Sequence, residues 1–261
     1  MPLTLHYHQF GQGDPLIILH GLFGSSGNWR SIAHRLSATH DVFSVDLRNH
    51  GESSHADSMS YQEMAGDIAA LMDASHLDKA TLLGHSLGGK VAMTFALSYP
   101  DQTQALISVD SAPVIYRHRF DSLIKALQDL PLSTLTSRKE ADDYLRSRIE
   151  DPALRSFLLQ NLVMRAGQFR WRLNLTTIQT NMDTLLGFPE FPLEVRYWGP
   201  ACFIHGGASN YLRSEHRPLI QARFPQARII TLDDAGHWLH VECPEAFLKA
   251  VNAFLESIRQ N

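Results

Sequence analysis

The sequence predicts an α/β protein in which a mostly parallel sheet has helices on both faces and carries one helical insertion. Short apolar runs that end in turn residues alternate with segments of helical periodicity, as in successive βαβ units. This alternation stops near residue 113 and resumes near residue 200. The length of 261 residues suits one large domain with an insertion. We therefore predict a core formed by residues 1–112 and 200–261 and a helical cap formed by residues 113–199.

Apolar runs supply the strands of the predicted core. Residues 15–19 form a continuous apolar run, which is typical of a parallel strand buried on both faces. Leu3, Leu5 and Tyr7 alternate with polar residues, as in an edge strand with one solvent-facing side. We expect strands near residues 3–7, 15–19, 41–46, 81–84, 105–110, 201–205 and 228–232.

Segments with apolar residues at helical spacing predict the helices. Ser60 and Glu63 have the spacing of a capping box, so a helix is expected to begin after Ser60. The core helices are expected near residues 29–36, 60–76, 91–99, 215–224 and 244–258. The cap helices are expected near residues 120–130, 138–150, 153–164 and 173–186, with no strand between them.

The stretch Gly84-His85-Ser86-Leu87-Gly88 lies between a predicted strand and a predicted helix. Glycines two positions before and after Ser86 permit a turn so tight that larger side chains would collide there. The turn presents the serine hydroxyl at a helix N-terminus, where partial positive charge favours a developing anion. An ordinary Gly/Ser turn is the alternative. In this context, however, G-x-S-x-G is typical of the nucleophile elbow of the α/β-hydrolase fold, which predicts Ser86 as the nucleophile.

A serine hydroxyl becomes a good nucleophile only when a base accepts its proton. In the chain order usual for this fold, the base follows the last strand. Among 14 histidines, His237 fits because it lies in that loop and because Gly236 frees the backbone before it. His240, three residues further along, is the alternative, and a solvated loop histidine is the non-catalytic interpretation.

The third catalytic group should be a carboxylate that orients the histidine. It is usually found after the strand at residues 201–205, but residues 206–210 contain no Asp or Glu. Asp110 ends the preceding strand, and parallel strands bring their carboxyl ends to one edge of the sheet. We therefore assign Asp110, with Ser209 as a second hydrogen-bond partner that supports His237. The adjacent pair at residues 233–234 remains open as an alternative.

Two backbone N–H groups are expected to bind the oxyanion. One belongs to Leu87, directly after the nucleophile, and the other to Leu22 in the loop at residues 20–24, whose glycines allow a close approach. The side chain of Phe23 would then line the substrate pocket, with plain core packing as the alternative. The remaining predicted pocket residues are Phe169, Trp171 and Trp238.

These motifs together resemble the YbfF-like bacterial esterases of the α/β-hydrolase superfamily. The resemblance runs nearly end to end, is loosest in the cap, and is carried by residues 20–24, 46–53, 84–89, 109–113 and 235–238. It implies an eight-stranded, mostly parallel core with a cap, and hydrolysis of carboxylic esters or acyl thioesters without a metal or cofactor. It also implies that Asp110 replaces the acid absent after Gly207.

Composition and charge make some classes of binding partner improbable. A net charge of −4 and a pI near 6.4, without a basic arm, disfavour nucleic acid. The N-terminus lacks the pattern of a signal peptide, and no apolar run has the length of a membrane span. Two cysteines, Cys202 and Cys243, form neither a metal motif nor a disulfide framework. We therefore expect a cytoplasmic enzyme with no membrane partner, and leave its oligomeric state open.

The leading hypothesis is a serine carboxylesterase or thioesterase that acts through an acyl-enzyme on a small-molecule ester or acyl-CoA. Five cap arginines interleaved with aromatic residues could meet an anionic leaving group such as coenzyme A, although solvated helix faces explain them equally well. A carbon–carbon bond hydrolase or a perhydrolase would use the same triad, and a non-catalytic receptor could share the fold. The cap arginines are Arg117, Arg119, Arg165, Arg170 and Arg172.

Overall fold

The computed structural model describes residues 1–117 and 120–259. Seven strands in these ranges form one sheet in the order β1-β3-β2-β4-β5-β8-β9, in which only the β1–β3 pair is antiparallel. Two further strands, β6 and β7, form a separate hairpin. The strands are β1 (Tyr7–Phe10), β2 (Asp14–Leu19), β3 (His40–Val45), β4 (Ala80–His85), β5 (Thr103–Val109), β6 (Leu162–Arg165), β7 (Gln168–Trp171), β8 (Ala201–Gly206) and β9 (Ala227–Leu232).

The sheet confirms the α/β fold, but its seven strands, as far as the chain is described, correct the expected eight. The chain has one antiparallel edge strand before β2, and this strand begins at Tyr7 instead of Leu3. Two preceding N–H groups donate to side chains: the Leu3 N–H donates to Asp67 Oδ1 (2.7 Å) and the His6 N–H donates to Ser53 Oγ (2.8 Å).

Helices cover both faces of the sheet, as predicted. Alternate residues of β2 point to opposite faces: Ile17 packs with α2, α3 and the cap, whereas Ile18 packs with α1 and α11. Both residues are fully buried, which explains why this strand reads as a continuous apolar run. The helices are α1 (Arg30–Leu36), α2 (Tyr61–Ala74), α3 (Leu87–Ser98), α4 (Asp121–Gln128), α5 (Arg138–Leu145), α6 (Pro152–Leu159), α7 (Leu175–Thr180), α8 (Met182–Leu186), α9 (Arg217–Arg223), α10 (Leu239–Glu242) and α11 (Pro244–Arg259).

The capping box at the start of α2 is confirmed. Ser60 Oγ accepts a hydrogen bond from the Glu63 N–H (3.3 Å), and Glu63 Oε2 accepts one from the Ser60 N–H (2.9 Å). These two bonds satisfy donors that a helix start would otherwise leave without partners.

The segment between β5 and β8 contains helices α4–α8 and the β6–β7 hairpin. The hairpin corrects the all-helical interpretation of this segment. Its turn has positive φ at Ala166 (49°) and Gly167 (77°), which is the geometry of a two-residue hairpin loop. The division into core and cap at residues 113 and 199 remains a prediction. Across the two described ranges, no helix combines the length and apolarity needed to cross a membrane.

Candidate active site

Ser86 stands between β4 and α3 with a strained backbone, φ 53° and ψ −113°. Its N–H donates to the Val109 carbonyl at 3.0 Å, which ties the turn to β5. The two motif glycines are needed because backbone crowds both positions. A Cβ on Gly84 would lie 2.0 Å from the Gly88 carbonyl oxygen, and one on Gly88 would lie 2.3 Å from the Leu19 carbonyl oxygen.

Asp110 and His237 meet across the edge of the sheet. The imidazole Nδ1 lies 2.6 Å from Asp110 Oδ2. The aspartate side chain is fully buried, whereas the histidine side chain is 22% exposed. Asp110 follows β5 with φ 48°, and its N–H donates to the Ile204 carbonyl at 2.8 Å. The topology therefore brings these two predicted residues together, while the alternative carboxylates at 233–234 are exposed on the surface.

Ser209 supports the carboxylate directly and the histidine only through it. Its hydroxyl donates to Asp110 Oδ2 at 2.5 Å, the same oxygen that faces His237. The expectation of a direct hydrogen bond between Ser209 and the imidazole is therefore replaced by a chain of three groups: Ser209, Asp110 and His237.

Neighbouring aromatic rings fix the orientation of His237. The Tyr211 ring stacks on the imidazole with centroids 3.9 Å apart and an interplanar angle of 15°. Below it, His85 Nε2 lies 2.8 Å from the backbone carbonyl of His237. Burial lowers the pKa of His85 well below its usual value, so this ring is neutral and donates Nε2–H to that carbonyl. The role of His85 as a support for the histidine loop was missed by sequence reasoning.

His240 is a core residue in this structure. Its ring stacks on Trp29 with centroids 4.0 Å apart, and only 6% of the residue is exposed. Burial lowers the pKa of His240 to about 3, which makes it a poor acceptor for a serine proton. Within the described ranges, Ser86 is not hydrogen-bonded to His237, although both line one cavity. Such bonds often tighten only when substrate is present.

The loop at residues 20–24 lies against Ser86, since a Cβ on Gly21 would be 3.3 Å from Ser86 Cβ. The Gly21 carbonyl accepts from His20 Nδ1 (2.8 Å) and from the Gly24 N–H (2.9 Å). A trans peptide points its N–H opposite to its C=O, so these bonds also fix the direction of the Leu22 N–H.

The Leu22 N–H has no acceptor in the part of the chain that is described, whereas the next N–H along the loop is occupied. The Phe23 N–H donates to His50 Nε2 at 3.2 Å. Leu87 is the first residue of α3, so its N–H has no partner within the helix. Leu22 and Leu87 therefore offer the two free donors that an oxyanion site requires.

Two buried histidines hold this loop. His50 Nδ1 lies 3.0 Å from the Arg48 carbonyl, and His20 Nε2 accepts from the Leu47 N–H at 3.0 Å. Burial lowers both pKa values, that of His50 to about 3, so both rings are neutral and carry the proton on Nδ1. Neither histidine was singled out from sequence, although both lie in segments that carried the family resemblance.

Two cavities meet at Ser86. The larger, of about 660 Å³ including its open mouth, is lined by the loop at residues 20–24, His237 and apolar side chains of the cap. The smaller is lined by Ser86, Leu87 and residues of the cap. The larger contains two of the predicted pocket residues and several that were missed: Phe23 and Trp238 were predicted, and Phe120, Leu123, Leu154, Phe157 and Tyr211 were not.

Phe169 and Trp171 lie away from both cavities. Phe169 is buried in the core cluster, and the Trp171 Nε1–H donates to the Leu127 carbonyl at 3.1 Å. Both residues lie in β7, between the helices predicted at residues 153–164 and 173–186, and their place in the substrate pocket remains a prediction.

Two of the cap arginines share one carboxylate, whereas Arg117 and Arg170 are exposed. Arg165 pairs with Glu52, and Arg172 Nη1 lies 3.7 Å from the other oxygen of the same carboxylate. Arg119 falls outside the described residues.

Comparisons with known proteins agree with this geometry. A family model described as the alpha/beta hydrolase fold matches residues 14–244. The chain is 41% identical over 268 residues to the sn-1-specific diacylglycerol lipase ABHD11 of Danio rerio, covering 98% of this chain and 83% of that protein. It is 35% identical to Esterase YbfF of Escherichia coli over 93% of each chain, which confirms the resemblance inferred from sequence.

A solved structure agrees equally well. It is named as a marine microorganism esterase and superposes with a TM-score of 0.94 at 37% identity, covering 97% of this chain and 99% of that one. The chain therefore belongs to the α/β-hydrolase fold family, and it is similar in both sequence and structure to proteins named as esterases and lipases.

Proposed function

We propose that the protein is a serine hydrolase that cleaves carboxylic esters through an acyl-enzyme intermediate. The contact that carries the proposal is the 2.6 Å approach of His237 Nδ1 to the buried Asp110 carboxylate, beside the strained turn of Ser86. That contact places the proton of a neutral imidazole on Nδ1 and leaves Nε2 able to accept the serine proton. Relatives named as esterases and lipases support the ester class.

The reaction would proceed in two halves. Ser86 Oγ attacks the ester carbonyl while His237 Nε2 takes its proton, and the Leu22 and Leu87 N–H groups bind the oxygen that becomes negative. The imidazolium, stabilised by Asp110, then protonates the departing alcohol, leaving the acyl group on Ser86. Water repeats the sequence, with His237 again as base and then as acid, and releases the carboxylic acid.

Acyl thioesters present the same carbonyl to the same groups, so thioester hydrolysis is chemically open to this site. The acyl-CoA hypothesis gains no support from Arg165 and Arg172, because both are engaged by Glu52. Hydrolysis of an acyl-CoA and of an uncharged ester, compared across ionic strength, tests it. If the anionic substrate is steered to the site by charge, rising salt should screen that attraction and slow only the acyl-CoA reaction.

The nucleophile is tested by Ser86→Ala. We expect hydrolysis of p-nitrophenyl butyrate to fall at least about 10⁴-fold and covalent labelling by a fluorophosphonate to disappear. Ser209→Ala is the matched control, since it removes a nearby serine hydroxyl and should leave the labelling in place. Full turnover by the Ser86→Ala enzyme would refute the proposed function.

A further inference from the structure

Lys90 is a buried cation one helical turn after Ser86 on α3, with 1% of its surface exposed. Its Nζ donates to three backbone carbonyls: Val114 (2.8 Å), Leu186 (2.8 Å) and Gly187 (2.5 Å). An ammonium has three N–H donors, so all of them are used. In the described part of the chain no carboxylate forms an ion pair with it, and the Tyr116 ring lies 4.2 Å from Nζ at its centroid.

The three carbonyls belong to two separate segments of the cap. Val114 stands where the chain leaves the core after β5, and Leu186 and Gly187 stand where α8 ends. A single side chain on the helix that follows Ser86 therefore binds the first residues of the insertion to the end of α8. Burying a charge with only carbonyl partners is costly, and an apolar residue of similar length would avoid that cost. The arrangement instead gives a fixed geometry between α3 and α8.

That geometry shapes the smaller cavity. Lys90 and Leu87 line it from α3, and Met182, Leu185 and Leu186 line it from α8. A second bond holds the same helix, because the Tyr61 hydroxyl donates to the Leu185 carbonyl at 2.5 Å. The position of the α8 wall, and hence the depth of the cavity beyond Ser86, depends on these two anchors.

The catalytic geometry assigns a different half of the substrate to each cavity. His237 must reach the departing alcohol to protonate it, and His237 and Trp238 line only the larger cavity. The alcohol therefore belongs there. The acyl chain must extend from the same carbonyl in another direction, and the smaller cavity opens at Ser86 and Leu87, beside the oxyanion donors.

We propose that Lys90 is a specificity-determining residue: by binding the start of the cap and the end of α8 to the helix that follows the nucleophile, it fixes the wall of the acyl cavity and excludes long acyl chains. The proposal rests on the ester hydrolysis proposed above. Its measure is the ratio of kcat/KM for the dodecanoate and butyrate esters of p-nitrophenol at about pH 6, where Lys90 is protonated. Any effect on the chemical step common to both substrates cancels in the ratio.

The decisive variant is Lys90→Met, whose side chain is also long and unbranched, so that the tether is lost with little change in volume. We expect the dodecanoate-to-butyrate ratio to rise at least about tenfold, since each additional buried methylene is worth roughly fourfold in binding. Lys249→Met, an exposed lysine on α11, is the matched control and should leave the ratio unchanged. Leu185→Ala shortens a side chain in the cavity wall, which enlarges the cavity directly, and should raise the ratio as well.

Should the methionine variant fail to fold, Lys90→Gln decides the question, because its amide offers two donors without the charge and should raise the ratio by a smaller factor. An unchanged ratio in a folded variant, with both esters slowed or hastened equally, would overturn the role of Lys90. Failure of the proposed function would give a different result. The unsubstituted protein would then hydrolyse neither ester, or its hydrolysis would persist in the Ser86→Ala variant.

Discussion

Replacing Asp110 by asparagine tests how the site holds its base, and we expect kcat for ester hydrolysis to fall about 10³–10⁴-fold. Asp110 Oδ2 faces the imidazole Nδ1 at 2.6 Å and is fully buried, so no water can take its place. An asparagine that turns its NH₂ towards Nδ1 would force the proton onto Nε2, where the imidazole could no longer accept from Ser86. It would also remove the negative charge that stabilises the imidazolium.

Ser209→Ala provides the comparison, because it removes one hydrogen bond to the same carboxylate oxygen. A hydrogen bond to a charged group is worth about 1.5–3 kcal/mol. This bond is present before and during the reaction, so most of its energy is common to both states and kcat should fall less than about tenfold. The two variants therefore differ in expected effect by at least about 10²-fold.

The assay is kcat for p-nitrophenyl butyrate at a pH above the ordinary pKa of imidazole, with circular dichroism to show that both variants are folded. A Ser209→Ala enzyme as slow as the Asp110→Asn enzyme would refute the assignment of Asp110 as the orienting acid. An Asp110→Asn enzyme within tenfold of the unsubstituted rate would refute it independently.

Two further outcomes follow from buried groups near the site. His50→Phe would leave the Phe23 N–H without its acceptor and should lower kcat for p-nitrophenyl butyrate about 10–100-fold. His50→Gln should recover part of this loss, and the exposed control His8→Gln should have no effect on kcat. An unchanged kcat in His50→Phe would contradict the role of His50. Burial lowers the pKa of Lys90 to about 7, so the dodecanoate-to-butyrate ratio should rise from about pH 6 to about pH 8 as the ammonium loses its proton. The groups that face Lys90 stay protonated in this window because burial raises the pKa values of Tyr61, Tyr116 and Tyr211, so a ratio that does not change with pH would contradict a charged tether.

The parts of the molecule that sequence reasoning predicted are those with a local physical signature. Continuous apolar runs mark strands covered on both faces, and the glycine spacing around Ser86 marks a turn that no larger residue could form. Asp110 was found by topology, because parallel strands end at one edge of the sheet. These features can be predicted from the order of the elements along the chain and from the geometry of parallel strands.

The parts that were missed depend on contacts between distant segments. Lys90 looks like an ordinary polar position on a helix, but α3 is buried on every side from Leu87 to Leu97, so periodicity does not reveal which neighbours surround it. Phe169 was assigned to the pocket because it is interleaved with cap arginines, whereas the Ala166–Gly167 turn forms a hairpin in which its side chain is buried. Neither outcome is encoded in the spacing of apolar residues.

Backbone strain is concentrated where the reacting groups converge. Among the six non-glycine residues with positive φ in the described ranges, three lie at the site: Phe23, Ser86 and Asp110. Each costs on the order of 1–3 kcal/mol and persists only when the surroundings hold it. Their N–H groups donate hydrogen bonds to acceptors in three different segments, at Val109, Ile204 and His50. The cap joins this support, since the Asn161 side chain donates to the Phe23 carbonyl at 2.8 Å. The cap therefore helps to hold the loop at residues 20–24. A change in the position of the cap should alter kcat as well as the preference for acyl chain length.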